Sequence, residues 1–328
     1  MEQKKLKEEL SRGELRNMYL LFGEERFLVE HYSSEICREA EDKVIFDGAI
    51  PVSEIIMAAE TIPFGTFSEN RFILVRDSRL FAAGRKADSE LIAEYLQKIP
   101  QDTIIIFQES EVDRRTRTYK KAAELGGVIE CAPLPPQDLT KWLMRTAKKK
   151  GKELSIGTAN HLLRTCGNNM FTLFNEAEKL IHYSRNQNEI TPKDINEICT
   201  PTLESKIFDL TKAVGAGKTS EALKMYSDML TLKESPIMVL TMLIRQLRII
   251  LLCKCHAEKN TLRSQISKEL GLRDFMINEA LAHGKRFTTE GLIAALENCS
   301  DTDIRIKTGL LAPEIGVEML IIGMRKAS

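Results

Sequence analysis

The stretch Thr103-Ile-Ile-Ile-Phe107 decides the fold. An unbroken apolar run of this length suits a central strand covered by helices on both faces, because a strand with one wet face would alternate apolar and polar residues. Working outward, Arg71-Phe-Ile-Leu-Val-Arg76 reads as a second buried strand, and Asn17-Met-Tyr-Leu-Leu-Phe22 as a β-prone run ending at Gly23. Val44-Ile-Phe46 is a shorter candidate, and Val128-Ile-Glu130 closes the series. Helical stretches lie between them: Glu25 to about Glu41, then a helix with Ser53 as its N-cap running to about Thr61. This alternation predicts a mostly parallel α/β sheet.

Cys131-Ala-Pro-Leu-Pro-Pro136 is a proline-rich break and a candidate domain boundary. Beyond it the strand signals vanish. Gln137–Lys150 is an amphipathic helix with Leu139, Trp142, Leu143 and Thr146 at spacings of three and four, and Gly151 is placed to end it. Ser155–Cys166 and Met170–Ser184 read as two more helices, and Thr191-Pro192 starts a fourth with proline in its first turn. From about Lys206 every segment reads as helix: Phe208–Val214, Thr219–Leu230, Pro236–Lys259, Thr261–Glu269, Asp274–Gly284, Thr289–Ser300, Ile304–Thr308 and Gly316–Arg325. Three domains are expected: residues 1–133 α/β, 134–205 small and helical, 206–328 a larger helical bundle.

The bulk properties narrow the function. At 328 residues, 43% hydrophobic and 29% charged, the chain can bury sizeable cores and exceeds one domain of ordinary size. Lys plus Arg and Asp plus Glu number 47 each, which argues against a stand-alone DNA binder with its usual basic excess. Seven cysteines, an odd count with no Cys-x-x-Cys pair, fit a reducing cytoplasm rather than a disulfide framework or zinc ribbon. The charged opening Met1-Glu-Gln-Lys-Lys-Leu-Lys-Glu-Glu9 has no apolar signal core, and runs such as Ile249–Cys253 and Met319–Ile322 fall far short of a membrane span. A cytoplasmic protein without membrane contact is expected.

Several motifs invite chemistry. Gly215-Ala-Gly-Lys-Thr219 resembles the end of a phosphate loop, but Lys212 occupies the position of the leading glycine, and a helical segment precedes it where a strand is required. A Gly-rich turn with Thr219 as N-cap is the plainer reading. The position after the first strand, where an α/β nucleotide-binding domain carries its phosphate loop, reads Leu20-Leu-Phe-Gly-Glu-Glu-Arg-Phe27, with two acids that repel phosphate. Glu24 and Glu25 read as first-turn acids of the following helix. Cys253 and Cys255, two apart on a helix, point to different faces and read as buried or half-buried thiols. No catalytic residue, cofactor or metal is expected. Arg114, Arg115, Arg117, Lys120 and Lys121 form a basic segment, either a solvated face or a candidate contact with a partner or with DNA. Ile62-Pro-Phe-Gly-Thr-Phe67 is a loop before a strand, and Phe64 and Phe67 either fold back on their own core or anchor in a partner's pocket.

Taken in order, Tyr19–Leu28, Thr61–Val75, Ile106–Lys120, Ile207–Gly215, Met242–Arg248 and Asp301–Gly309 span nearly the whole chain, and together they resemble the delta subunit of the bacterial DNA polymerase III clamp loader. The resemblance implies an AAA+-like α/β N-terminal domain without a functional phosphate loop, a small helical lid and an all-α collar. It implies a subunit that binds the sliding clamp (the beta subunit) and opens it for loading onto primed DNA, while sister subunits hydrolyse ATP. The implied partners are that clamp, the gamma/tau and delta prime subunits in a hetero-pentamer, and primed DNA through the complex. The implied clamp-binding positions are Phe64 and Phe67 with Ile62. Gly65-Thr66 separate the two phenylalanines, which adjoin in the family's usual pattern. No catalytic site of its own is implied, only membership of a nucleotidyltransferase holoenzyme. The competing readings are an active AAA+ ATPase using Gly215–Thr219 and a helical DNA-binding regulator.

Overall fold

The computed structural model describes residues 3–38, 40, 42–61, 70–272 and 274–324. The chain divides into two compact units, Met1–Leu139 and Thr140–Ser328. In the first, the order is α1 (Gln3–Arg12), β1 (Met18–Phe22), α2 (Arg26–Ile36), β2 (Asp42–Asp47), α3 (Val52–Glu60), β3 (Arg71–Arg76), α4 (Lys86–Tyr95), β4 (Thr103–Glu109), α5 (Arg117–Leu125) and β5 (Val128–Glu130). The helix α6 (Pro136–Lys149) runs across the division.

All five strands pair in parallel, in the order β2-β3-β4-β1-β5. This is the AAA+-like α/β sheet expected from the sequence. Every residue of β1 and β4 is buried, as the unbroken apolar runs require. Met18, Leu20, Phe22, Ile73, Val75, Ile105 and Phe107 share one core with Val52, Ile55, Leu80, Phe81, Ile92 and Ala122 from the α3–α5 side. The alternate residues Tyr19, Leu21, Leu74 and Ile106 are equally buried, with α2 against β1 and β4. The expected helix from Glu25 is shorter, ending at Ile36. Ser53 is not a cap: the helix starts one residue earlier, behind Pro51, because Val52 turns into the core.

The second unit continues with β6 (Glu153–Leu154), α7 (Ile156–Cys166), α8 (Met170–Tyr183), β7 (Glu189–Ile190), α9 (Pro192–Ile198), α10 (Leu203–Gly215), α11 (Thr219–Thr231), α12 (Pro236–Glu258), α13 (Arg263–Leu270), α14 (Asp274–Gly284), α15 (Thr289–Lys307) and α16 (Pro313–Gly323). The expectation of no strand here is corrected by the two-residue parallel pair β6–β7. Thr191 opens α9 with a capping box to Asp194. Thr289–Ser300 and Ile304–Thr308 are one helix, not two. By length and composition alone α12 could cross a membrane, which the sequence reading did not foresee. In this fold it is a core helix, packed on α10, α14, α15 and α16 through Val239, Leu240, Leu243, Leu247, Ile250 and Cys253.

Candidate functional site

In an open parallel sheet, ligands bind outside the carboxyl ends of the strands where the strand order reverses. Here that point lies between β1 and β4: from β1 the chain crosses to β2 on one side, and β5 lies on the other. The residues delivered to it are Gly23–Glu25 after β1, Asp77–Arg79 after β3, Glu109 and Ser110 at the end of β4, and Cys131 after β5.

The turn after β1 is closed on its own chain. Cys131 N–H donates to the Phe22 carbonyl at 2.6 Å, and the Cys131 carbonyl accepts from Glu25 N–H at 2.9 Å. Gly23 sits at φ +132°, and a Cβ there would collide with the Cys131 carbonyl, so the turn requires glycine. Arg26 N–H donates to the Glu24 carbonyl at 3.1 Å, and Leu28 N–H to the Glu25 carbonyl at 3.1 Å. Phe27 N–H donates to Glu25 Oε1 at 3.3 Å. Glu25 is therefore the N-cap of α2 rather than a first-turn acid, and Glu24 lies outside the helix. Of the amides at the phosphate-loop position, those of Glu25, Arg26, Phe27 and Leu28 have partners within the chain. The Glu25 carboxylate occupies the anion position at the helix start, and burial raises its pKa.

On the other side of the switch point, Glu109 is buried at 1% exposure. It accepts from Ser78 N–H at 3.1 Å, Arg79 N–H at 3.0 Å and the Ser78 hydroxyl. Burial pushes its pKa up to about 7, against the opposing pull of these donors. The segment it holds is strained, with Asp77 at φ 48° and Arg79 at φ 59°, both left-handed and neither glycine. Asp77 Oδ1 accepts from Ser110 N–H at 3.0 Å and the Ser110 hydroxyl at 2.5 Å. Arg26 reaches across to the Glu109 carbonyl at 3.4 Å and to Asp77 Oδ2 at 3.8 Å. Arg85 donates to the carbonyls of Ser78 at 2.7 Å and Ile50 at 2.5 Å. This edge is an internally bonded polar lock. Glu109 escaped the sequence reading because nothing in a strand-end glutamate signals which loop amides it will meet.

The other predicted positions are dispersed. Ile62, Phe64 and Phe67 lie outside the described residues, in the segment between Thr61 and Asn70. The basic segment lies at the start of α5. Arg114 forks onto both oxygens of Glu130 at 2.6 and 2.7 Å. Arg115 pairs with Asp113 at 2.8 Å, Arg117 with Glu94 at 3.5 Å and Lys121 with Glu124 at 2.7 Å. The Arg115 guanidinium lowers the Asp113 pKa to about 2. Among the described residues, only Lys120 of these five makes no ion pair.

Gly215–Thr219 forms the turn between α10 and α11, with Gly217 at φ 73° and Lys218 Nζ on Glu221 at 3.0 Å. The N-cap is Lys218 and not Thr219. Cys253 is buried and Cys255 half-buried, as their spacing predicted. A different set of thiols, Cys166 and Cys199, meets Glu176 inside the second unit, across separations no sequence motif marks.

A five-stranded AAA+-like domain with a closed first turn, followed by helical structure, defines a class of AAA+-like subunit. Residues 19–132 match the family model of the DNA polymerase III delta subunit, and residues 204–324 match that of its C-terminal domain. The chain belongs to the DNA polymerase III delta subunit family. It is 25% identical to DNA polymerase III subunit delta of Bacillus subtilis over 97% of this chain and 95% of that protein. It is 20% identical to the probable DNA polymerase III subunit delta of Aquifex aeolicus, over 69% of this chain and 67% of the relative. The solved Bacillus subtilis DNA clamp loader delta protein shares the fold, with a TM-score of 0.63 at 24% identity over 98% of this chain and 99% of that one.

Proposed function

We propose that this chain is the ring-gripping subunit of a bacterial clamp loader, binding the sliding clamp and opening it for loading onto primed DNA in the cytoplasm without hydrolysing ATP itself. Family membership is the observation that carries the reading, and a related Bacillus subtilis protein is described as a clamp loader delta protein. The closed turn after β1 supports the absence of hydrolysis, since the Glu25, Arg26, Phe27 and Leu28 amides at the phosphate-loop position are already bonded within the chain. Residues 1–133 act as the clamp-binding domain, 134–205 as a lid and 206–328 as a collar that joins gamma/tau and delta prime in a hetero-pentamer.

Phe64 and Phe67, with Ile62, form the grip. A protein opens a ring only by binding the open form better than the closed one. Two aromatic side chains burying about 150–250 Å² each supply several kcal/mol at such a contact. The test is a pull-down with the cognate sliding clamp in the absence of nucleotide. Wild type is retained. Phe64→Ala combined with Phe67→Ala loses the clamp while keeping its helical circular dichroism and unfolding midpoint. Undiminished binding by the folded double variant rejects the grip assignment, and failure of wild type to bind the clamp rejects the function.

A further inference from the structure

Three side chains distant in sequence converge in the Thr140–Ser328 unit. Cys166 is the last residue of α7, Cys199 is the C-cap of α9, and Glu176 lies within α8. Two sulfurs and a carboxylate oxygen lie within 4.8 Å of one another. The three residues are buried, at 2%, 7% and 8% exposure. Glu176 Oε2 is sealed from solvent and has no hydrogen-bond partner. The Lys179 ammonium lies 2.7 Å from it as a charge contact, outside hydrogen-bonding geometry. The neighbouring Cys166 sulfur, then burial, then Glu176 push the Cys199 thiol far above its ordinary range.

We propose that Cys166, Cys199 and Glu176 bind a zinc ion. Two thiolates with a carboxylate form a donor set that suits a borderline-soft divalent ion. Zinc–sulfur bonds of about 2.3 Å place two tetrahedral sulfurs about 3.8 Å apart, so the observed spread closes on an ion with a shift of about 1 Å or less. The charges also balance. Two thiolates and one carboxylate carry three negative charges, and zinc with the Lys179 ammonium carries three positive, which a buried site requires. Binding exchanges two thiol protons for two sulfur–zinc bonds and releases those protons to solvent, with no change of oxidation state. A water completes the fourth position. The ion would join the ends of α7 and α9 to the middle of α8, a structural role independent of clamp binding.

The experiment uses the full chain, reduced and dialysed against chelator, and titrates it with Co2+ as a spectroscopic stand-in for zinc. The expected result is an intense near-ultraviolet thiolate-to-cobalt band that saturates at one equivalent and is displaced by Zn2+. About two protons are released per metal, and zinc raises the melting temperature. Cys166→Ser and Cys199→Ser each abolish the band, Glu176→Gln weakens binding by about tenfold or more, and Cys255→Ser leaves it unchanged. The wild-type titration needs no variant to fold. Absence of stoichiometric uptake overturns the proposal, as does a band that survives in Cys199→Ser. Reduced protein that takes up no metal, but forms a Cys166–Cys199 disulfide in air, also overturns it.

Discussion

Replacing Gly23 with alanine tests the closed turn on which the nucleotide-free reading rests. At φ +132° an L-residue is strained by roughly 1–3 kcal/mol. The new methyl also meets the Cys131 carbonyl, which cannot retreat without stretching two backbone hydrogen bonds, Glu25 N–H to Cys131 O at 2.9 Å and Cys131 N–H to Phe22 O at 2.6 Å. Losing both adds about 1 kcal/mol each. Restricting the unfolded chain returns roughly 0.4–1 kcal/mol. The net cost is about 2–5 kcal/mol, a large share of the 5–15 kcal/mol that ordinarily holds a domain folded. Native-state hydrogen exchange read at the Glu25 amide is the local assay, with urea unfolding as the global one. Protection at Glu25 is expected to fall by about two orders of magnitude, since each 1.4 kcal/mol is tenfold. A Gly23→Ala protein with unchanged Glu25 exchange and less than about 0.5 kcal/mol of destabilisation would refute the steric argument.

Glu109 makes stability depend on pH in a defined direction. Its folded pKa of about 7 lies above the ordinary 4.5, so between those values the native state keeps a proton that the unfolded chain releases. Its contribution is complete below about pH 4.5 and is lost as pH rises to 7, by up to about 3 kcal/mol. Glu109→Gln should remove that slope when unfolding is compared at pH 5 and 8, and identical slopes in both proteins would count against the assignment. His283 acts in the opposite sense: burial, then Lys212 and Arg286, lowers its pKa to about 4, so its contribution is lost as pH falls through 6.5 to 4. His283→Gln should therefore lose less stability than wild type between pH 7 and pH 4. Calorimetric titration with ATP should give no binding, and Lys218→Ala should change nothing; ATP binding abolished by that substitution would restore the ATPase reading. For the basic segment, five cations against Glu130, Asp113, Glu94 and Glu124 leave a net charge of one. The logarithm of duplex affinity for the isolated chain should fall with the logarithm of salt at a slope near −1. A slope of about −4 would show instead that these cations exchange their carboxylates for phosphates.

What was legible in the sequence is what short-range physics decides. The apolar runs of β1, β3 and β4 announced buried parallel strands because each lies in the middle of a covered sheet. Pro192 in the first turn announced a helix start, and the structure adds a capping box between Thr191 and Asp194 within that turn. Reading failed wherever packing overruled local preference. Ser300-Asp-Thr-Asp303 looks like a break between helices, yet Leu292, Ala295, Cys299, Thr302 and Ile306 keep a three-four spacing into the core, and that buried stripe carries α15 through its polar stretch. The two-residue strands β6 and β7 are too short for any periodicity to show. Most opaque were the polar convergences. Glu109 finds its donors about 30 residues back at Ser78 and Arg79, while Cys166 and Cys199 approach only because α7, α8 and α9 pack together. At the carboxyl edge of this sheet the same long-range closure bonds Glu25 to Cys131, Glu109 to Ser78 and Arg79, and Asp77 to Ser110, each pair distant in sequence.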